Sequence, residues 1–310
     1  MGRQNSFRIF SYSGIDVFLH WSWFLVAIYE IETRSGRYSS VAWNVLEYLA
    51  LFLIVTLHEF GHALACRQVG GRVNRIVLWP LGGVAYVDPP QRPGATLWSI
   101  AAGPLVNVAL VPVFLIAVAA AESAGLPSRS HDAYALLLTI SKINLWLLVF
   151  NILPVYPLDG GQILRSLLWF LLGRARSLMA AASIGLLGVA AFIAYAVWMQ
   201  DIWLGLISVY MGMNCWGGFK HARHLLGIAK LPRRDGYTCP SCNAAPPVGN
   251  YWRCSQCGQS FDTFATGAVC PSCKSQFPAT QCLDCGRQHA LPAWNSGTFV
   301  GSFVSHSPTP

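Results

Sequence analysis

The sequence predicts a mainly α-helical, polytopic membrane bundle of about six spans, followed by a small cysteine-rich module. Three observations carry that prediction. Only 11% of the 310 residues are charged and 54% are hydrophobic, whereas a soluble domain carries about a quarter charged residues. Residues 95–121, 177–200 and 202–219 contain no Asp, Glu, Lys or Arg, and a bilayer core needs about 20 apolar residues per helix. Eight of the ten cysteines fall between 239 and 285, in four C-x-x-C pairs. These features exclude an ordinary soluble enzyme and a disordered or fibrous chain.

Apolar runs place spans near 16–32, 42–66, 95–121, 133–153, 177–199 and 202–219. The net charge of +8 reads as topology rather than nucleic-acid binding, because cytoplasmic loops collect Lys and Arg. With the N-terminus inside, fourteen such residues face the cytoplasm, and only Arg34, Arg37 and Arg129 lie outside. Both ends are therefore expected to be cytoplasmic, in a prokaryotic cell (inner) membrane. The short basic start is followed by no small-residue cleavage site. Met1-Gly2 through Ser6 matches a myristoylation pattern, which six spans would make redundant. The composition changes near residue 220. The expected organisation is a membrane domain over 1–219, a basic linker over 220–236, a cysteine module over 237–290 and a disordered tail over 291–310.

In the second span, His58-Glu59-Phe60-Gly61-His62 sets two imidazoles four residues apart, on one helix face, where they can hold one metal. Glu59 adjoins the first ligand, within reach of a water as general base. Hydrogen-bonded membrane histidines are the plainer alternative. It would still leave three ionisable groups in an apolar span, and such groups mark function by default. A catalytic site needs a third ligand. The candidate is Asp159, in Asn151-Ile152-Leu153-Pro154-Val155-Tyr156-Pro157-Leu158-Asp159-Gly160-Gly161. Its prolines and glycines interrupt a span, and irregular backbone at membrane depth is tolerated only in protein or beside a cavity.

The two motifs, in this order and each in a span, resemble the site-2 protease family of intramembrane zinc metalloproteases. Gly103-Pro104-Leu105-Val106-Asn107 resembles its G-P-x-x-N element, and Arg75–Val87 its membrane-associated β-hairpin. The resemblance covers roughly residues 10–219 and is closest to the branch with a cytoplasmic C-terminal regulatory domain. The CBS modules of well-known members are absent, so nucleotide sensing is not carried over. The resemblance implies that His58, His62 and Asp159 ligate a catalytic zinc and that Glu59 is the general base. It implies a membrane-spanning protein substrate, locally unwound and added as a strand to the hairpin, with Asn151 and Asn107 binding its backbone. Helix–helix hydrogen bonding competes for Asn107 and Asn144; at Asn151 the substrate reading leads. His20 reads as structural. Lys142, inside a span, has no assigned role.

Cys66 and Cys215 sit alone beside or in spans, as small apolar fillers. The spacing of the others suggests two sequential structural zinc sets: Cys239, Cys242, Cys254 and Cys257, then Cys270, Cys273, Cys282 and Cys285. The inferred cytoplasmic side disfavours disulfides, and no βαβ context supports a redox motif. The sets resemble tandem zinc ribbons, so the expected zinc content is one catalytic and two structural ions. Few basic residues accompany them, which favours a cytoplasmic protein partner over nucleic acid. The competing readings are a membrane-anchored ribbon adaptor with an inert protease-like anchor, and a metal transporter. Intact His58, Glu59, His62 and Asp159 argue against the first; a Glu beside the first ligand argues against the second.

Overall fold

The computed structural model describes residues 6–33, 36–79 and 82–294. Two strands, β1 (Ser6–Tyr12) and β2 (Ile15–His20), precede helices α1 (Ser22–Thr33) and α2 (Val41–Gln68). The hairpin β3 (Arg72–Trp79) and β4 (Gly82–Asp88) follows, then α3 (Pro93–Ser123), the single turn α4 (Leu126–Arg129) and α5 (His131–Ile152). Helices α6 (Asp159–Met199) and α7 (Ile202–Ala229) complete the helical part. Contacts divide the chain into Met1–Arg223 and His224–Pro310. Among the described residues, α2, α3, α5 and α6 are long and apolar enough to cross a membrane.

The N-terminal region departs from the expected first span over 16–32. Ile15 and Val17 are fully buried and alternate with partly exposed neighbours, the period-two pattern of a half-buried strand. Residues 17–29 carry no Asp, Glu, Lys or Arg, so this strand runs into an apolar stretch that hid the alternation. The helix left to α1 has 12 residues and is about 18 Å long at 1.5 Å per residue, too short to cross a core of about 30 Å by itself. The four strands form one sheet in the order β1-β2-β3-β4, with β2 and β3 parallel and the outer pairs antiparallel. Its buried face (Ile15, Val17, Val73, Ile76, Leu78) packs on Val55, Ala63 and Cys66 of α2. The sheet thus lies along the helix that carries the histidines, and β4 is an edge.

The stretch that begins at Asp159 and the expected span over 177–199 are one element, α6, kinked at Gly173 (φ 75°, ψ 171°). Helix α7 continues beyond residue 219, so the basic stretch 220–236 begins as helix. Cys215, Val189 and Met211 pack around Val155 in the segment 153–158, and the Cys215 thiol also donates to the Tyr156 carbonyl, so it is more than the apolar filler expected.

In the C-terminal unit, β5 (Trp252–Arg253) pairs with β6 (Ser260–Phe261), and β7 (Thr280–Gln281) with β8 (Gln288–His289). Each hairpin carries one C-x-x-C pair in its turn. The sulfurs do not group sequentially: Cys239 and Cys242 meet Cys282 and Cys285, while Cys254 and Cys257 meet Cys270 and Cys273. The two sets are therefore nested, and the sequential assignment is corrected. A knuckle can face either neighbour at these spacings; the aromatic packing selects one. Trp252, Phe264 and Trp294 surround the outer set, and Phe261 and Phe277 the inner one. Trp294 is fully buried within a 3-10 turn over Leu291–Trp294, so these four residues belong to the module rather than to the tail. Residues 295–310, with the rest of the expected tail, lie outside the described residues, as do Met1–Asn5 of the acylation pattern.

Arg233 forks onto both oxygens of Asp284 (2.7 and 3.1 Å), and Arg234 pairs with Asp262. Two charges assigned to the basic linker are thus used inside the module. The Cys282 thiol is pushed up by its hydrogen bond with Cys242, whereas Cys285 is pushed down by the same neighbour. Four thiols this close cannot all ionise without a cation among them.

Nesting predicts a specific pattern of zinc loss. Serine at Cys254 and Cys257 should release one zinc, and further serines at Cys270 and Cys273 should release no more. Serines at Cys254, Cys257, Cys239 and Cys242 should release both ribbon ions. Metal analysis of the purified full chain checks this; sequential pairing would reverse the two results.

Candidate metal centre

Helix α2 presents His58 and His62 on one face, with Nε2 atoms 3.1 Å apart. Asp159 opens α6, where a carboxylate is favoured by the helix dipole. Its Oδ2 lies 3.1 Å from His58 Nε2 and 3.3 Å from His62 Nε2. Both histidines are almost fully buried. The approach of Asp159 depends on Gly160: a Cβ there would lie 2.1 Å from the Ile152 carbonyl oxygen.

The orientation of each imidazole is fixed from its other nitrogen. His58 Nδ1 donates to Asn107 Oδ1 at 2.6 Å, and Asn107 Nδ2 donates to Asn144 Oδ1 at 2.8 Å. Asn144 Nδ2 closes the loop on the Asn107 carbonyl at 3.0 Å. His62 Nδ1 donates to the Ser99 carbonyl at 2.9 Å. In neutral rings these bonds leave a bare Nε2 turned towards Asp159, the arrangement in which histidines bind metals. Gly103 makes the room, since a Cβ at that position would lie 2.2 Å from His62 Nε2.

Three bare donors facing one another at 3.1–3.3 Å repel unless a cation joins them. A tetrahedral zinc with bonds of about 2.0–2.1 Å separates its donors by about 3.3 Å. The residues present fit that ion. Glu59 is buried next to the first histidine, and its Oε2 accepts the Ala85 N–H of β4 at 2.8 Å.

Several expectations change. Asn107, expected at the substrate, is fully buried, and its side-chain amide bonds His58 and Asn144. Asn144 belongs to the same chain of bonds. Asn151 stands at the penultimate position of α5, half-buried, without a side-chain hydrogen bond among the described residues. His20 bonds Ser22 and stacks on Trp79, a structural role. Lys142 lies on the exposed face of α5, unpaired among the described residues. Sequence reasoning missed the support by the Ser99 carbonyl and the Ala85 amide, for which no side-chain signal exists.

The chain is similar to known proteins. The model of peptidase family M50 matches residues 47–135 and 117–195. A zinc metalloprotease of Methanocaldococcus jannaschii is 34% identical over 212 residues, 66% of this chain and 58% of that one. Stage IV sporulation protein FB of Bacillus subtilis is 34% identical over 118 residues, 37% of this chain and 38% of that one. The solved site-2 protease from Methanocaldococcus jannaschii is 29% identical, covers 69% of this chain and 95% of its own, and has a TM-score of 0.49. The buried donor set defines a protein with a candidate metal site among apolar helices. The chain belongs to the site-2 protease family, peptidase family M50. It spans a little over half the length of the archaeal metalloprotease it matches.

Removing the support of His58 should weaken the metal without unfolding the chain. Asn107→Ala is expected to lower zinc affinity about 10–100-fold, and Asn144→Ala less, because it acts through Asn107. Gly103→Ala should abolish intramembrane zinc by driving into His62. Competition with a zinc-binding dye, with circular dichroism as the fold control, measures both.

Proposed function

We propose that this protein is an intramembrane zinc endopeptidase that hydrolyses peptide bonds in or near membrane-spanning segments of protein substrates, a step of regulated intramembrane proteolysis. The observation that supports it best is the convergence of His58, His62 and Asp159 beside Glu59, with Glu59 bonded to the edge strand β4. When bound by these three ligands, zinc polarises a carbonyl and lowers the pKa of water towards about 7. Glu59 takes the proton of the attacking water and delivers it to the leaving amine. A helical substrate has every amide bonded internally, so it must unwind locally before cleavage. The free edge of β4 can accept the unwound segment as an added strand, with Asn151 bonding its exposed backbone.

The ribbons hold two structural zincs by this reading, and they serve a cytoplasmic protein partner. The ribbon residues 237–294 hold only three basic side chains, Arg253, Lys274 and Arg287, few for a nucleic-acid surface. The reading also keeps six crossings in a prokaryotic cell membrane, with both ends cytoplasmic. The first crossing is then half strand and half helix: β2 contributes about 20 Å and α1 about 18 Å. Strand backbone is acceptable at that depth because β2 bonds β1 on one side and β3 on the other.

Glu59→Gln should retain zinc and fold, and lose about 10²–10⁴-fold or more in cleavage rate. The same variant serves to trap substrates for identification by mass spectrometry. Cleavage of a trapped substrate at the unchanged rate would end the proposed mechanism.

Orientation is read separately. A cysteine at Ser128 should react with an impermeant maleimide only from outside, and one at Arg92 only from inside. Labelling of the Ser128 probe from the cytoplasm would overturn the topology.

A further inference from the structure

Beyond the metal centre, β3 and β4 build a charged recess on the face of the sheet turned away from α2. Val73 pairs with Val87 and Ile76 with Ala85, so Asn74 and Arg75 together oppose Tyr86. This is a β-bulge, a device that re-aims a side chain. Ala85 and Val87 pack on the core, and strand alternation turns Tyr86 and Asp88 to the other face. There the Arg75 guanidinium carbon lies 4.2 Å from the Tyr86 ring centroid. Arg72, Asn74, Arg75, Tyr86 and Asp88 line a cavity of about 460 Å³, with two positive charges against one negative. Asp16, opposite Arg75 on β2, is paired with Arg8 at 2.9 Å. Two features tie this recess to the metal centre. Tyr86 adjoins Ala85, whose N–H bonds Glu59, and β4 is the edge of the sheet.

We propose that Arg75, held over the Tyr86 ring, selects substrates with an acidic side chain within two residues of the cleaved bond. This selection rests on the reading of β4 as the strand that receives an unwound substrate. The substrate residue across from Tyr86 then has its side chain on the Arg75 face, next to the residue across from Ala85 and beside Glu59. Its Cβ comes about 4.5–5.5 Å from that of Tyr86, and the bulge has already carried the guanidinium across to that ring. An Asp or Glu at that place accepts a charge-assisted hydrogen bond from Arg75, while the ring contact limits how the guanidinium can turn. A Lys or Arg meets like charge. The difference matters on the cytoplasmic side of a membrane, where flanking segments collect Lys and Arg. A positive recess beside the general base works against them, which is specificity by repulsion as well as by attraction.

A library of single-span proteins tests the selection. Each member carries a leucine-rich span broken by Asn-Gly-Pro, with Asp, Asn or Lys placed in turn at the positions around the break. The library and the purified full chain are reconstituted together in phosphatidylcholine vesicles, which keep lipid charge out of the comparison. Mass spectrometry of the products gives the cleaved bond and its flanking residues. The wild-type protein should prefer Asp over Asn about fivefold to tenfold at one position within two residues of the cut, between the worth of an exposed ion pair and that of a covered charge-assisted hydrogen bond. Arg75→Glu should reverse the order, with Lys above Asp at that position. Arg176→Glu, at an exposed arginine of α6, makes the same change in net charge and should keep the wild-type order. If Arg75→Glu fails to fold by circular dichroism, Arg75→Gln takes its place and should bring Asp and Asn to equal rates. Cleavage that needs Glu59 but shows no acidic preference, or an acidic preference that survives the change at Arg75, would overturn the selection and leave the endopeptidase standing. No Glu59-dependent cleavage of any member would overturn both.

Discussion

Two imidazoles and a carboxylate, buried in an apolar bundle with donor atoms 3.1–3.3 Å apart, are the constraint around which the membrane part is arranged. Each group alone would be costly at that depth. Together they are stable only if their lone pairs share a cation and their remaining polar atoms are satisfied. The second condition is met by backbone and amide groups from other helices: Ser99 and Asn107 on α3, and Asn144 on α5. Helices α2, α3 and α5 are therefore tied by polar bonds at the level of the metal ligands. In a bilayer, where apolar packing between helices has no hydrophobic driving force of its own, such bonds help to set register.

The third ligand demands a different solution. Asp159 must come from a segment that is not helical until it reaches the site. The chain from Leu153 to Leu158 is held by Val155 against Val189, Met211 and Cys215, so α6 and α7 form its seat. The sequence showed this segment as broken by proline and glycine, but not where it docks. Docking depends on small residues far along the chain, whose role appears only once the helices are packed.

What was legible follows from period and spacing. His58, Glu59 and His62 declare themselves because a helix repeats in four, and Asp159 because a charged turn interrupts an apolar span. Strand β2 was hidden, since from Val17 onward it runs without a charge into the apolar stretch of α1. Lys and Arg counts could not separate Arg233 and Arg234 from the linker, because their partners Asp284 and Asp262 lie 51 and 28 residues away. The nested cysteines were ambiguous for a related reason. Sequential pairing closes loops of 11 and 8 residues, nested pairing loops of 12 and 39. The nested closure costs only about 1.5 kcal/mol more, less than the packing of Trp252, Phe264 and Trp294 around the outer set can supply.

The bond between Glu59 and Ala85 gives the proposed chemistry its register. Ala85 lies opposite Ile76 in the β3–β4 ladder, yet its N–H is turned outward to Glu59. Along a regular strand the outward groups recur every second residue, so those of Gly83 and Val87 share that free edge. On the reading of β4 as a template, a peptide strand that bonds on both sides of Ala85 has its intervening amide held beside Glu59. One carboxylate would then be tied to the strand that aligns the substrate and placed next to the ligands that activate it. The sheet, which the sequence disclosed only in part, would in that case be the element that selects which bond of an unwound helix meets the general base.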